Sequence, residues 1–511
     1  VPIRALSRRF CAALLLLGLL PIVAGAKPGD TKSFVLLHSN DQHGHLLPFS
    51  YPEKVSPTDV VSQMLHRQNI GGIARRATLV KEIRKKEKNV FLFDAGDCMD
   101  GTPFSTEFQA KADYTTMNAV GYNYGVFGNH DFNMTAVQFS ELRNTVKFPL
   151  LLANVANKSD GKNPLPPYVI HDWNGLKVAV FGLVTKDAQT YKAAAEAFTV
   201  TDPMEVAKTL VPQLRKEADL VIAVTHDGLD VDRKMAREVP GIDIIVGGHS
   251  HTRLPLGDYE MAEHPGPGDP SGTVILQNHQ WVGELGRLDF TVTEGRDRRW
   301  HITRYSETVL PITSAIKEDK DVAKLVASFW DKIKEKYATV IGEAKGEFVD
   351  SYNFDIPPTN YFLVADALQD FSKAQFDLEN LFGVRASILK GPITTGDIIA
   401  IDPFDNSIFT YTIKGSELKK LITAQRPIPS ASLHYSVRRD PQTKQWTLVS
   451  ATLNGKPIDD DTLYQGSANS YFFNRSLKDI VTDARDLGAL RRNVLMDYVK
   501  KMSPLTPVED N

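Results

Sequence analysis

Cysteine is almost missing: the 511 residues hold only Cys11 and Cys98. That excludes a disulfide scaffold and the cysteine-rich zinc modules. A surplus of one charge is missing too. Lys+Arg number 59 and Asp+Glu 62, for a formal net charge of −3, which excludes a strongly basic nucleic-acid binder. With 42% hydrophobic and 24% charged residues, the composition of a disordered chain is excluded as well. The 34 Gly and 29 Pro stay far from collagen-like or low-complexity values. Past the first 26 residues no apolar run is long enough to read as a membrane span. The length predicts two or three domains with a sizeable core.

The first 26 residues read as a secretory signal peptide. Arg4, Arg8 and Arg9 precede an uncharged run from Phe10 to Leu20, then Pro21 and the small-residue site Ala24-Gly25-Ala26. The uncharged stretch falls short of the roughly 20 apolar residues of a span, and Pro21 interrupts it. Cleavage after Ala26 removes three arginines and no acid, taking the net charge from −3 to −6. It also removes Cys11 and leaves Cys98 alone, read as a small buried hydrophobe. The expected location is periplasmic or secreted.

From Ser33 to about Pro311, short apolar runs alternate with helical stretches. Phe34–Leu37, Val90–Phe93, Leu150–Leu152, Val178–Leu183, Leu220–Val224 and Ile242–Val246 read as buried strands. Ile73–Lys86 and Met204–Lys216 read as helices, and the alternation predicts an α/β fold. His264–Gly272 reads as a surface loop. Val322, Leu325, Val326, Phe329 and Ile333 repeat with helical spacing and predict one linker helix within 313–339. The expected organisation is residues 27–312, the linker, and a smaller α/β domain over 340–511.

Chemistry-bearing residues fall at the ends of the expected strands, where α/β proteins place ligands. Asp41 and His43 follow the first strand and Gly96-Asp97 the second; Gly128-Asn129-His130-Asp131 follows Tyr124–Phe127. His226 follows Leu220–Val224, and Gly248-His249-Ser250-His251 follows Ile242–Val246. Singly, each histidine has a bland reading as a hydrogen-bonded structural residue. Together they bring carboxylates, an amide and imidazoles to one rim, ligands suited to Zn, Mn, Fe or Co. Enough are present for two cations that could clamp an in-line displacement.

The motifs D-x-H, GD, GNHD, H-x-G and GHSH, in this order, resemble the calcineurin-like metallophosphoesterase superfamily. Ala365-Asp366-Ala367, Gly383-Val384-Arg385 and Asp402-Pro403-Phe404-Asp405-Asn406 are similar to the periplasmic 5′-nucleotidase/UDP-sugar hydrolase family. The resemblance implies an N-terminal four-layer metallophosphoesterase sandwich, a linker helix and a C-terminal nucleotide-binding α/β domain. It implies that Asp41, His43 and His251 hold one divalent metal, that Asn129, His226 and His249 hold another, and that Asp97 bridges them. Asn129 would also touch substrate, and His130 would contact the phosphoryl group as a catalytic residue. The implied reaction is attack of a metal-activated water on a small-molecule phosphate ester, a nucleotide by analogy. Neither a nucleic-acid polymer nor a stable membrane span is expected as a partner.

The chain departs from the pattern in places. The family orients the catalytic histidine with an Asp three residues on; here that position is Asn133, and Asp131 is the alternative. The arginine pair expected just before a helix near Tyr361 is missing, which leaves Arg385 as the phosphate-binding match. Phe404 and Tyr471 fit the two base-stacking aromatics, with Asn406 nearby, although ordinary core packing remains open for both rings. After Tyr471 the family's Gly-Gly-Asp-Gly run is replaced by Phe472-Phe473-Asn474-Arg475. Another ester (a cyclic nucleotide, sugar phosphate or sulfur ester) and a non-catalytic nucleotide-binding protein stay open beside the nucleotidase reading.

Overall fold

The structure, a computed structural model, describes residues 29–50, 69–254, 272–349 and 358–508. The expected signal peptide lies outside them, as does the 264–272 loop apart from Gly272. In chain order the strands of the two main sheets of the first half are β1 (Thr31–Ser39), β2 (Val90–Asp94), β3 (Tyr124–Val126), β4 (Leu150–Leu151), β5 (Tyr168–Asp172), β6 (Lys177–Val184), β7 (Leu220–His226), β8 (Ile244–Val246), β9 (Val274–Leu276), β10 (Glu284–Glu294) and β11 (Trp300–Pro311). One sheet has the order β11-β10-β1-β2-β3-β4 and the other β9-β8-β7-β6-β5. β1 to β4 run parallel, as do β6 to β9 in their own sheet.

Parallel strands bury both faces, which explains why β7 is apolar and buried along its whole length. β10 pairs antiparallel with β1 and β11, and from Leu285 on it nearly alternates buried and half-buried residues. The helices α1 (Ile73–Lys86) and α2 (Lys111–Val120) pack on the first sheet, while α3 (Pro203–Leu214) and α4 (Leu229–Glu238) cover the second. The two sheets meet face to face through β3, β4, β6 and β7, so the layers run helix, sheet, sheet, helix. α1 keeps the bounds read from the sequence; its last turn carries Arg84, Lys85 and Lys86, which suit the negative end of the helix dipole.

The expected single linker helix is two. α5 (Lys320–Trp330) starts at Asp319, whose side chain accepts from the Val322 amide at 3.1 Å. The helix stops at Asp331, and α6 (Lys334–Tyr337) follows as a separate turn. The physical reason is a change of partner. Val322 and Val326 bury in the first core, whereas Ile333 and Tyr337 pack on Ile399 of the second half. One straight helical face cannot serve both cores. Glu107 accepts from Lys336 Nζ at 2.6 Å and from the Tyr337 hydroxyl, which ties the joint back to the first half.

In the second half a five-stranded sheet has the order Ile428–Pro429, Phe376–Glu379, Leu463–Asn469, Ser407–Lys414, Thr482–Leu490. The helix at Thr359–Ser372 packs beside it, with Tyr361, Leu368, Val384 and Leu495 in one core cluster. Arg491 is fully buried there. Its Nε donates to Asp402 Oδ2 at 2.9 Å, and other guanidinium N–H groups donate to Glu379 and to the Gly383 carbonyl. Arg492 Nη1 donates to the Phe404 carbonyl at 2.7 Å. This adjacent pair holds the loops that carry Arg385 and Phe404.

Candidate active site

The strand registers bring the carboxyl ends level. Ser39 pairs with Asp94, Asp94 with Gly125, and Val224 with Val246. The loops that leave these ends are conformationally costly. Asp41, His43, Asp97, Asp100, His249 and His251 all have φ between 47° and 76°, a region that costs a non-glycine residue on the order of 1–3 kcal/mol. Such strain persists only where the surroundings over-determine it. Asp41 N donates to the Gly96 carbonyl at 2.8 Å, and His43 N to the Asp97 carbonyl at 2.9 Å. Gly128 is required by close approach: a Cβ there would lie 2.0 Å from Asp97 Oδ1.

These loops bring together two groups whose ligating atoms lie within 4.8 Å of one another. One is Asp41, His43 and His251; the other is Asp97, His226 and His249. The groups touch. Asp97 Oδ2 is 3.0 Å from His226 Nε2 and 3.8 Å from His43 Nε2. Asp41 Oδ1 is 3.1 Å from His251 Nε2 and 3.8 Å from His226 Nε2. His43 Nδ1 donates to the Met99 carbonyl and His226 Nδ1 to the Ala95 carbonyl, both at 2.6 Å. Those bonds orient both rings and leave each Nε2 facing inward.

The electrostatics are those of a place for cations. Burial by itself would raise the Asp41 carboxyl, but His251, His226 and His43 hold it well below its ordinary range. Burial would lower His226, yet Asp97 and Asp41 push it up to about 10. His249 is held down to about 4 by burial and by His226. Asn129 Oδ1 is buried without a hydrogen-bond partner, and Asp41 Oδ1 and His226 Nε2 are buried facing other ligand-type atoms of the cluster. Buried polar atoms of this kind call for a partner, and carboxylate, amide oxygen and imidazole are the donor set of a divalent cation. The residues therefore fit two such ions.

His130 opens the short 3₁₀ turn after β3, and its amide donates to Asp97 Oδ1 at 2.9 Å. Its side-chain partner corrects the sequence expectation. Asp100 Oδ2 accepts from His130 Nδ1 at 2.8 Å, and Asn133 reaches the imidazole only through that carboxylate, donating from Nδ2 at 2.9 Å. Asp131 does not substitute. It points the other way and accepts from the amides of Asp97, Cys98, Met99 and Gly128, pinning the β2 loop. Burial, then the Arg385 guanidinium, hold His130 well below the ordinary imidazole range. Burial pushes the Asp100 carboxyl well above its own, against the Asn133 bond that favours the charged form.

The rim opens into a cleft of about 1150 Å³ between the two halves of the chain. Asp97, Asn129, His130, His249 and His251 line one wall, and Arg385, Phe404, Asn406 and Tyr471 line the other. Core packing is thus not the setting of Phe404 or Tyr471; Tyr471 is 41% exposed. Phe404 lies against the His130 ring, centroids 5.9 Å apart and planes at 30°. Arg385 Nη2 sits 2.9 Å from His43 Nε2, so the second half reaches directly onto the cation site. Asn406 accepts from Ser470 Oγ at 3.1 Å, beside Tyr471.

Four residues of the site escaped sequence reasoning. Asp100 had a signal, since it stands three residues after Asp97 in the same loop. Tyr191 accepts from Asn129 Nδ2 at 2.8 Å and had no local signal. Arg475, from the segment that replaces the glycine-rich run, donates to the Tyr471 hydroxyl at 2.6 Å and lines the cleft. Phe382, 58% exposed, adds a further aromatic to the same wall.

Comparison with known proteins agrees with this geometry. Residues 34–253 match the calcineurin-like phosphoesterase family, and residues 340–476 match the 5′-nucleotidase C-terminal domain. Protein UshA of Yersinia enterocolitica is 29% identical, over 93% of this chain and 92% of its own length. A 5′-nucleotidase of Vibrio cholerae is 28% identical, over 93% and 91%. Among solved structures, the 5′-nucleotidase precursor of Thermus thermophilus superposes with a TM-score of 0.79 at 25% identity, covering 92% of this chain and 96% of that one.

Proposed function

We propose that this chain, which belongs to the calcineurin-like metallophosphoesterases that carry a 5′-nucleotidase C-terminal domain, hydrolyses phosphate esters of nucleotides. The observation that carries the reading is the facing of two walls. Grouped carboxylates and imidazoles from the first half meet an arginine and flat rings from the second across one cleft. Asp41, His43 and His251 are assigned to one divalent metal, Asn129, His226 and His249 to the other, and Asp97 to both. Two such cations, when bound, supply the charge that activates a water and stabilises an in-line displacement at phosphorus.

The remaining work falls to the chain's own side chains. His130 turns Nε2 into the cleft while Asp100 holds Nδ1. An anionic phosphoryl group beside it favours the imidazolium, which can then donate to a phosphoryl or leaving oxygen. Arg385 offers guanidinium N–H groups to the same oxygens. Phe404 and Tyr471 take a flat ring between them, and Asn406 offers its amide to the edge of that ring. Remote binding of this kind orients the ester for attack. The reading extends to an exported protein, periplasmic or secreted, cleaved after Ala26. Among the described residues no helix is long and apolar enough to cross a membrane.

A second reading keeps the metal chemistry and changes the ester. Arg475 and Phe382 reshape the substrate wall, and the expected arginine pair is missing, which favours a cyclic nucleotide, sugar phosphate or sulfur ester. A panel of nucleoside 5′-monophosphates, 2′,3′-cyclic nucleotides, sugar phosphates and a generic aryl phosphate decides. The nucleotidase reading expects kcat/KM to be highest on a nucleoside 5′-phosphate. A higher value on any other ester of the panel overturns it.

A further inference from the structure

We propose that Tyr191 is a positioning residue for the metal site that contains Asn129: its hydroxyl decides which end of the Asn129 amide faces the cation. The proposal rests on the assignment of Asn129 as a metal ligand. An asparagine presents an oxygen that can ligate and an NH₂ that cannot, so a half-turn of the amide would put two N–H groups where a cation must sit. Something has to fix that choice before the ion arrives.

The chain of hydrogen bonds leading to Asn129 fixes it step by step. Asp100 Oδ2 accepts from Asn133 Nδ2 at 2.9 Å, and His130 Nδ1, 2.8 Å away, donates to the same oxygen. In the neutral imidazole Nε2 is then a lone pair. The Tyr191 hydroxyl lies 3.4 Å from Nε2, an acceptor toward which its hydrogen can turn. With its hydrogen directed there, the hydroxyl offers Asn129 only lone pairs. Asn129 Nδ2 donates to it at 2.8 Å. Asn129 Oδ1 is left on the other side, buried and without a hydrogen-bond partner.

Tyr191 is itself held in place. Its amide donates to the Ala188 carbonyl at 3.0 Å, and its carbonyl accepts from Ala195 N at 2.7 Å at the start of the helix Lys192–Ala197. Its ring meets His130 edge-on, centroids 5.2 Å apart at 71°. The hydroxyl can therefore be removed while the ring contact stays.

The test is Tyr191→Phe, read first without substrate. The metal-free full chain is titrated with Co²⁺ against a competing chelator, and its visible absorption is followed. Loss of a residue that orients a ligand typically weakens metal binding about 10–100-fold. The expected result is one Co²⁺ bound as in the wild type and the second bound about 10–100-fold more weakly, with aryl phosphatase kcat recovering in excess Co²⁺. Asn129→Asp in the Tyr191→Phe background should restore the second affinity, because a carboxylate has an oxygen at either end. Two wild-type affinities in Tyr191→Phe overturn the proposal. So does loss of activity that persists with both ions bound, or a double variant that does not regain the second ion. A wild type that takes up only one ion would instead overturn the two-metal reading beneath it.

Discussion

Asp100 and His130 are joined by a 2.8 Å hydrogen bond between Oδ2 and Nδ1, although they come from loops after different strands. Asn133 donates to the same carboxylate oxygen at 2.9 Å. The carboxylate that a neighbouring residue was expected to supply thus reaches the histidine from across the site. Asp100→Asn should lower kcat by about 10²–10⁴-fold, the range for a positioned proton-transfer group. KM and metal content should stay near wild type. In the double variant Asp100→Asn/Asn133→Asp the pair keeps one carboxylate and one amide, and part of the lost kcat should return. Steady-state kinetics with metal analysis checks both.

Asp97→Asn should nearly abolish turnover and lower the metal content. Its Oδ2 is shared between His226 and His43, and its Oδ1 receives the His130 amide. An amide at this position supplies neither the charge nor the second ligating oxygen that two neighbouring cations need. Elemental analysis of the purified variant, beside its rate on an aryl phosphate, checks this.

Phe404→Ala should raise KM for a nucleotide by roughly 5–150-fold, the equivalent of losing about 1–3 kcal/mol of stacking. A small aryl phosphate should be affected less. Because Phe404 also lies on the His130 ring, a modest fall in kcat on both substrates is expected. Equal losses of kcat/KM on both would assign Phe404 to His130 alone.

The five strand ends were legible because ligand-bearing residues directly follow apolar runs, as Asp41 and His43 follow β1. The α1 bounds were legible because Ile73, Ala77 and Val80 repeat on the buried face and a cluster of basic residues closes the helix. Asp100 was readable in spacing but not in role, because only the left-handed turns at Asp97 and Asp100 swing it under His130. Tyr191, Phe382 and Arg475 were not readable. Tyr191 meets Asn129 through packing between segments far apart in sequence, which no local period encodes; Phe382 and Arg475 stand near Arg385 and Tyr471, but nothing in their local pattern says that they face the cleft. The break between α5 and α6 was hidden for the opposite reason. The helical period of Val322 to Ile333 is real, but its two ends face different cores.

Asp113, a buried carboxyl that is not itself assigned to a metal, gives a pH prediction. It is fully buried on α2 and accepts from Gln42 Nε2 at 2.9 Å, and burial pushes its carboxyl up to about 8. In the unfolded chain the group ionises near pH 4. Between these values the folded state holds a proton that the unfolded state has lost, so stability falls as pH rises, by up to about 1.4 kcal/mol per unit. Asp113→Asn cannot ionise. Urea midpoints measured from pH 4 to 8 should fall less steeply in this variant than in the wild type. Parallel profiles would contradict the assignment.

The most direct test of the central claim is metal removal and return on a nucleoside 5′-monophosphate, with bound metal counted in the same samples. The chelated protein should release no phosphate. Activity should return with Mn²⁺, Co²⁺ or Zn²⁺ and reach its plateau only at two ions per chain. Phosphate release that survives chelation, or full activity at one ion per chain, would contradict the two-metal account.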